Sequence, residues 1–189
     1  MLESNFKKRG YFVEIGGADG KVHSNTFFLE KKYDWKGIVV EPAIINKKNL
    51  QKNRNCNICF NAVHEYTDVK LDFLETKNPN LSQLTKYNKI DGHNRSDYKK
   101  YQVSTISLMD LLIKYKAPRI IDYLSIDTEG AEYDILKKFN FNKYKIKIIT
   151  IEHNYNKNRD KIYHLLKKND YCRKFSGISD YDDWYVKIN

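Results

Sequence analysis

The stretch from residue 11 to residue 41, YFVEIGGADGKVHSNTFFLEKKYDWKGIVVE, most constrains how this chain can fold. It opens with an apolar run over Tyr11–Ile15 that predicts a buried strand, and a glycine-rich turn follows at 16–20. Helical spacing of apolar residues comes next, and a second apolar run at 38–40 ends in Glu41. We expect a strand, turn, helix and strand unit. In doubly wound sheets an acid at the position of Glu41 lies beside a bound ribose.

Length and cysteine content favour one globular domain over residues 1–189. A chain of 189 residues can bury a sizeable core without disulfides or a structural metal. Its abrupt, polar start is compatible with a domain cut from a longer polypeptide. Three cysteines are too few for a disulfide framework. Cys56 and Cys59 have the spacing of a zinc ligand pair, but side chains three apart in a strand point to opposite faces, which disfavours zinc.

Charge and hydropathy bear on partners and location. No apolar run approaches the roughly 20 residues that span a bilayer, so we expect a cytoplasmic protein with no membrane partner. The net charge of +10 suggests attraction to anions. Because the lysines are scattered along the chain, a nucleic-acid partner is not favoured. The sequence does not determine the oligomeric state.

Apolar runs typical of strands alternate with helical spacing along the rest of the chain. Predicted strands cover residues 56–63, 69–74, 120–126 and 146–151, and predicted helices cover residues 43–54, 108–116, 131–139 and 160–168. Two last segments, 171–175 and 184–188, could form an antiparallel pair. The alternation predicts an α/β fold: a three-layer α/β/α sandwich with a mostly parallel sheet and a terminal antiparallel strand.

The periodicity disappears between residues 75 and 102, where Asn, Lys, Asp, Ser and Tyr dominate. A structureless segment of this length in a compact domain is usually a functional lid or a disordered loop. We interpret it as an insertion on the substrate side, and a surface loop without a role is the alternative. Its candidate substrate contacts are Tyr87, His93, Arg95, Tyr98 and Tyr101.

Acidic residues follow four of the predicted strands, at Asp19, Glu41, Asp127 with Glu129, and Glu152. The carboxyl ends of parallel strands meet at one edge of a sheet, where ligands bind. The glycines at 16, 17 and 20 do not match the dinucleotide fingerprint G-x-G-x-x-G. Neighbouring acids would also repel a pyrophosphate. They suit a cationic ligand such as S-adenosylmethionine, which carries an ammonium and a sulfonium group, so the sequence favours methyl transfer over oxidoreduction.

The same residues resemble a known family. FVEIGGADGKVHSNTFFLE, DWKGIVVEP, NRN, NAV, STISLMDLL, IIDYLSIDTEGAEYDIL and ITIEH are similar to the FkbM-type methyltransferases from about Tyr11 to His153. Glu14 departs from the family, which usually has aspartate there. The resemblance implies a class I, Rossmann-like methyltransferase fold and methyl transfer from S-adenosylmethionine, commonly to sugar or polyketide hydroxyls.

The resemblance also implies which residues bind the cofactor. It places Glu14, Gly16, Gly17 and Asp19 around the methionine part, Ser24 and Thr26 near its carboxylate, Glu41 at the ribose, Ala62 and Val63 at the adenine edge, and Asp127 near the sulfonium and the acceptor.

A sugar hydroxyl is a poor nucleophile at neutral pH and needs a base or a metal. His153, just past a strand end, is the candidate base beside Asp127, and a structural histidine is the alternative. Asp127, Glu152 and His153 could hold Mg²⁺ or Mn²⁺. Alternatively, Glu152 caps a helix or pairs with a lysine.

We therefore expect an S-adenosylmethionine-dependent O-methyltransferase that acts on a hydroxyl of a sugar or glycan, with a small-molecule or glycan acceptor as its partner. One alternative is a methyltransferase for RNA or another anionic polymer, which the positive charge would suit. The other is a binding module that keeps the fold without turnover.

Overall fold

The computed structural model describes residues 7–78, 81–88, 90, 95 and 97–188. Its strands are β1 (Tyr11–Ile15), β2 (Lys36–Val40), β3 (Asn57–Cys59), β4 (Ala62–His64), β5 (Lys70–Thr76), β6 (Gln83–Leu84), β7 (Tyr98–Ser107), β8 (Ile120–Ile126), β9 (Lys145–Glu152), β10 (Tyr171–Lys174) and β11 (Asp182–Lys187). Its α-helices are α1 (Phe27–Tyr33), α2 (Lys47–Asn53), α3 (Leu108–Lys114), α4 (Glu132–Leu136) and α5 (Arg159–Lys168).

Seven of these strands form the main sheet, in the order β10-β11-β9-β8-β1-β2-β3. The five strands from β9 to β3 are parallel to one another. At the other edge, β11 pairs antiparallel with both β9 and β10. The predicted α/β architecture, with its mostly parallel sheet and terminal antiparallel pair, is confirmed.

Strand β1 lies at the middle of the parallel part. Ile15 at its end is in register with Val40 of β2 on one side and Ile126 of β8 on the other. The chain leaves β1 towards β2 and later returns to β1 on its opposite side with β8. Such a switch point opens a crevice outside the carboxyl ends of the strands, and that is where ligands of open α/β sheets bind.

Helices cover both faces of the sheet. Phe12 of β1 packs in one apolar cluster with Leu29 of α1 and Leu50 of α2. The next residue, Val13, belongs to a second cluster that contains residues of α3, α4 and α5. Because successive strand residues point to opposite faces, the two clusters are the two sides of a three-layer sandwich.

A second, four-stranded sheet has the order β4-β7-β5-β6. In it β5 and β7 pair antiparallel over seven register positions, from Lys70 with Ser104 to Thr76 with Tyr98. The expectation that residues 75–102 lack regular structure was therefore wrong. His93 of this segment lies outside the described residues. The predicted third strand, 56–63, is in fact two short strands, β3 and β4, which belong to different sheets.

The two sheets share one apolar cluster, which holds Phe73 and Val103 of the second sheet together with Ile38 and Ile149 of the first. A single domain over residues 1–189, and the substrate-side role of 75–102, stay predictions. Among the described helices, none has the length and apolar character needed to cross a membrane.

Candidate active site

A cavity of about 310 Å³ opens at the carboxyl ends of the parallel strands. The first, second, eighth and ninth strands all contribute residues at or just past their ends, and the second sheet forms the opposite wall. The lining residues are Ile15, Gly16, Ala18, His23, Asn25, Val40, Glu41, Pro42, Ala62, Val63, Phe73, Ser82, Gln83, Leu84, Asp127, Thr128, Glu129, Ala131, Glu152, Tyr181 and Asp182. The structure thus brings together Gly16, Glu41, Ala62, Val63, Asp127 and Glu152 from the predicted site.

Glu41 connects the glycine turn to the end of β2. One carboxylate oxygen accepts the backbone N–H of Ala18 at 2.9 Å, and the other accepts that of Ala43 at 2.8 Å. Burial raises the pKa of Glu41 to about 7, although these hydrogen bonds act in the opposite direction. Each oxygen keeps a further lone pair, so the carboxylate can also accept hydroxyl groups of a ligand in the cavity.

Close contacts within the protein require glycine at positions 16 and 17 of the turn. Gly16 has a φ of 87°, and a Cβ there would lie 1.7 Å from the carbonyl oxygen of Asp127. A Cβ on Gly17 would lie 2.3 Å from Cγ1 of Val39. Larger residues would force β1 away from its neighbours, so the turn shapes the cavity through packing as well as through access for a ligand.

Glu14 faces the protein interior and belongs to a network of polar side chains around Arg54. Its carboxylate accepts hydrogen bonds from Ser24 Oγ at 2.8 Å, the Asn25 backbone N–H at 2.6 Å and Thr26 Oγ1 at 2.6 Å. A guanidinium nitrogen of Arg54 lies 3.1 Å away. We define the Arg54 network as Glu14, Ser24, Thr26, Glu30 and Arg54.

The cofactor contacts predicted for Glu14, Ser24 and Thr26 stay predictions that this arrangement does not favour. Their polar atoms are engaged with one another, and none of the three lines the cavity. Gly17 and Asp19 also lie off the cavity wall. One oxygen of Asp19 accepts the backbone N–H groups of Lys21 and Val22, which closes the turn on itself. These residues stabilise the turn through their hydrogen bonds and packing without lining the cavity.

Three acids, Asp127, Glu129 and Glu152, form a carboxyl cluster. They each bring one oxygen within 4.8 Å of the others. The cluster arises because Asp127 follows β8 and Glu152 ends the adjacent β9. An Arg95 N–H donates to Glu129 at 2.8 Å, so this carboxylate is already paired with a cation.

Asp127 and Glu152 share a hydrogen bond, and burial raises the pKa of both. The hydrogen bond partly offsets the rise in the pKa of Asp127, whereas the charge of Asp127 raises the pKa of Glu152 further. Two adjacent carboxyls titrate as a pair and retain one proton more readily than an isolated acid. We assign this proton to Glu152, which leaves Asp127 as the member of the pair that ionises first, with a pKa that burial raises to about 7.

The turn that presents Asp127 and Glu129 is fixed by Glu132. One oxygen of Glu132 accepts the backbone N–H of Thr128 at 3.1 Å and that of Gly130 at 2.9 Å. Gly130 has a φ of 122°, and a Cβ there would meet the side chains of Ile90 and Tyr87. The second sheet and its connections therefore pack directly against this turn.

His153 follows the end of β9 as predicted, but its side chain lies off the cavity wall. Its ring is buried, its Nδ1 accepts the backbone N–H of Tyr155 at 3.0 Å, and its Nε2 lies 3.9 Å from a carboxylate oxygen of Asp183. The ring neither lines the cavity nor joins the carboxyl cluster. The role of His153 as catalytic base and metal ligand stays a prediction that this geometry does not favour, and it is Glu129 that joins Asp127 and Glu152 in the carboxyl cluster.

Several residues that line the cavity or belong to the carboxyl cluster were not assigned to the candidate site from the sequence. Glu129 was named among the strand-end acids, but the candidate metal ligands were Asp127, Glu152 and His153, because the sequence offered no reason to prefer Glu129 to His153. His23 was considered for the mouth of the crevice, with a surface role as the alternative, and it lines the cavity. Asn25 follows the glycine turn, whereas Phe73, Gln83 and Leu84 reach the cavity from the second sheet. The last three have no local signal, because the pairing of distant strands decides their position.

The sequence profile described as Methyltransferase FkbM domain matches residues 14–186. The chain belongs to the FkbM methyltransferase family. This membership implies S-adenosylmethionine as methyl donor. No curated protein sequence matches the chain.

Solved structures show the same fold for this FkbM family member. Methyltransferase FkbM from Methylobacillus flagellatus KT aligns with a TM-score of 0.59 at 13% identity, over 96% of this chain and 44% of that chain. Precorrin-6y C5,15-methyltransferase from Geobacter metallireducens GS-15 aligns with a TM-score of 0.52 at 9% identity, over 98% and 84%. The N-terminal domain of human METTL16 aligns with a TM-score of 0.50 at 12% identity, over 96% and 62%. The predicted class I, Rossmann-like fold is confirmed.

Proposed function

We propose that this FkbM family member methylates a hydroxyl group of a sugar or glycan, with S-adenosylmethionine as the donor. The supporting observation is the acid-lined cavity, whose wall carries Glu41, Asp127, Glu129, Glu152 and Asp182. Carboxylates of this density favour a ligand that carries a sulfonium and an ammonium group. They would repel the phosphates of RNA, which argues against the anionic-polymer alternative.

The cavity residues fit the donor in two halves. Glu41 lines the cavity and would accept the ribose hydroxyls, and Ala62 and Val63 would offer an apolar wall for the adenine. Gly16 and the carboxyl cluster, with Asp127, line the other half, where the methionine part and its sulfonium would be held. A volume of about 310 Å³ is at the lower end of the range of ligand pockets, roughly 300–1,000 Å³.

The donor supplies the methyl group: an O–C bond to the acceptor forms while the C–S bond breaks, and the bonding electrons stay on sulfur. The chain itself has to orient the acceptor and remove its proton. Asp127 is the ionised carboxylate of the shared-proton pair and takes this proton. Glu152 donates its hydrogen bond to Asp127 and thereby fixes the direction of the carboxylate. The non-catalytic alternative does not explain why such a pair lies in the cavity.

Activity is tested by the release of S-adenosylhomocysteine in the presence of methyl pyranosides, nucleotide sugars, free glycans or RNA. We expect turnover with at least one sugar-containing acceptor and none with RNA. Turnover with RNA alone would select the anionic-polymer alternative. Binding of S-adenosylhomocysteine without turnover on any acceptor would select the binding module.

Replacing Glu41 with glutamine or alanine is expected to weaken S-adenosylhomocysteine binding. Either substitution removes the charged hydrogen bonds between the carboxylate and the ribose, which should cost about 1–3 kcal/mol of binding free energy. Alanine also frees the Ala18 and Ala43 N–H groups, so its effect should be the larger of the two. Titration calorimetry measures the change, with the exposed Lys48→Ala on α2 as the control. Equal affinities in all four proteins would remove Glu41 from the ribose site.

We propose a divalent cation, Mg²⁺ or Mn²⁺, as a second candidate occupant of the carboxyl cluster. Three carboxylate oxygens within 4.8 Å of one another suit a hard cation, although Arg95 competes for Glu129. Calorimetry should detect one Mn²⁺ per chain saturated with S-adenosylhomocysteine, and Glu129→Gln should weaken it at least about tenfold. The affinity should rise with pH, because the ion displaces the shared proton. A chain that binds no Mn²⁺ at millimolar concentration excludes the metal.

A further inference from the structure

Two large aromatic side chains stand exposed at one side of the cavity. Tyr155 is 66% exposed and Tyr181 is 61% exposed. Their ring centroids lie 6.2 Å apart with an interplanar angle of 75°. We call them the tyrosine pair. Exposed apolar surface that is contiguous with a ligand cavity commonly marks a binding surface.

His153 holds the tyrosine pair from beneath. Its backbone N–H donates to the carbonyl oxygen of Tyr181 at 2.8 Å, and its Nδ1 accepts the backbone N–H of Tyr155 at 3.0 Å. The His153 and Tyr155 rings are in edge contact with centroids 5.0 Å apart. The His153 side chain therefore fixes Tyr155, while the His153 backbone N–H holds Tyr181, so His153 is a positioning residue.

The backbone beside Tyr155 is strained. Asn154 has a φ of 40° and Tyr155 a φ of 52°, so two successive residues other than glycine lie in the left-handed region. A bulky aromatic residue rarely adopts this conformation, and such strain concentrates at ligand sites. The Arg159 guanidinium lies over the Tyr155 ring at 5.8 Å and is anchored by Asp183, which holds the ring from a further side.

The tyrosine pair adjoins the proposed reacting groups. Tyr181 itself lines the cavity, and the next residue, Asp182, is in register with Glu152 across the antiparallel β11 and β9. The donor is expected at the other half, beyond the ends of β1, β2 and β3. A ring that rests on Tyr181 would thus extend towards Asp127 and Glu152, on the side that the donor leaves open.

We propose that Tyr155 and Tyr181 form the acceptor subsite and stack against the face of a pyranose ring, while Asp182 accepts hydrogen bonds from its hydroxyls. This inference rests on the proposed function. A pyranose has a face of C–H groups, which suits the negative face of an aromatic ring, and an edge of hydroxyls, which suits a carboxylate. The base of a nucleotide could also stack here, but the phosphates of that nucleotide would approach Asp182 and Glu152.

Saturation-transfer NMR with methyl pyranosides tests the subsite on protein saturated with S-adenosylhomocysteine. We expect transfer to the C–H protons of one ring face in at least one pyranoside. Tyr181→Ala and Tyr155→Asn should each weaken its binding at least tenfold, and asparagine is chosen because it tolerates the left-handed backbone. Tyr181→Phe should bind normally, since the ring remains. Phe28→Ala, which removes an exposed aromatic ring on α1, is the control.

His153 provides a second readout. His153→Ala should weaken pyranoside binding, because Tyr155 loses the acceptor and the ring that hold it, and His153→Gln should restore most of the binding by accepting the Tyr155 N–H through its amide oxygen. S-adenosylhomocysteine affinity should stay unchanged in all of these variants.

Failure of the wild-type chain to bind S-adenosylhomocysteine would count against the proposed function itself. If the wild-type complex binds no pyranoside, or if uridine 5′-monophosphate binds in preference to every pyranoside, the subsite assignment is overturned. Normal pyranoside binding by Tyr181→Ala and Tyr155→Asn overturns it as well.

Discussion

Replacing Asp127 with asparagine is expected to lower kcat for methyl transfer by about 10²- to 10⁴-fold, the usual contribution of a general base. The amide keeps the size and one acceptor oxygen of the side chain, but it cannot take a proton from the acceptor hydroxyl. Transfer of a labelled methyl group in a single turnover measures the chemical step. The affinity for S-adenosylhomocysteine should change far less than kcat.

Glu152→Gln separates the two members of the carboxyl pair. We infer that Glu152 is the protonated partner that donates to Asp127, and a glutamine amide can donate in its place. Its kcat should therefore fall by less than about tenfold, which is well below the loss in Asp127→Asn. Asp160→Asn, at the exposed first turn of α5, is a control that removes a carboxylate elsewhere.

The pH profile gives an independent readout of Asp127. Because burial raises its pKa, kcat should increase with pH through a value above the ordinary range near 4. The protonated form prevails below that value and cannot accept the acceptor's proton. This limb should be absent from the residual activity of Asp127→Asn. Full activity in that variant, or an unchanged limb, would remove Asp127 as the base.

The sequence was informative about the site wherever chemistry coincides with a strand end. The apolar runs that became β1, β2, β8 and β9 are buried on both faces, and parallel strands of this kind are visible as continuous hydrophobic segments. The polar residue that follows each run must lie at the same edge of the sheet. Glu41, Asp127 and Glu152 could be predicted together for this reason.

The direction of a side chain could not be predicted at the same strand ends. Glu152 and His153 are adjacent, and neighbouring residues of an extended chain point to opposite sides. Glu152 therefore reaches the cavity, whereas His153 turns towards Tyr155 and Asp183. A histidine next to a strand end suggests catalysis on chemical grounds, but only the register of β9 and β11 shows which of the two residues is accessible.

The segment 75–102 was misjudged for a different reason. Strand β7 begins with YKKYQ, whose residues are mostly exposed, and it pairs with β5 across a long separation in the sequence. A solvated strand carries no apolar alternation in its exposed half, so periodicity alone cannot reveal it. Its partner β5 was predicted over residues 69–74 because VKLDFL alternates apolar and polar residues.

Arg54 is the clearest case of a residue that sequence reasoning left without a role. Its side chain is fully buried between Glu14, at 3.1 Å, and Glu30, at 2.6 Å. Further guanidinium N–H groups donate to Ser24 Oγ at 2.7 Å and Thr26 Oγ1 at 2.8 Å. These partners lie 24 to 40 residues away in the sequence, so no local pattern could indicate them.

Replacing Arg54 with methionine is expected to lower the free energy of unfolding by about 3–5 kcal/mol. Methionine fills much of the volume but leaves the carboxylates of Glu14 and Glu30 buried without their cation, and removal of one partner of a buried ion pair has this cost. Arg54→Lys should fall in between, because it keeps the charge but lacks the planar set of donors. Urea unfolding followed by circular dichroism measures all three proteins.

Lys52→Met is the matched control, since Lys52 is exposed on the same last turn of α2 and should change stability by less than about 0.5 kcal/mol. Glu14→Gln combined with Arg54→Met should cost less than the two single changes added together, because each removes the other's unpaired group. An Arg54→Met protein as stable as wild type would refute the assignment.

The Arg54 network also closes the turn from Gly16 to Thr26 behind the cavity. Because this turn carries Gly16 and Ala18 of the cavity wall, Arg54→Met should also weaken S-adenosylhomocysteine binding, although Arg54 itself does not line the cavity.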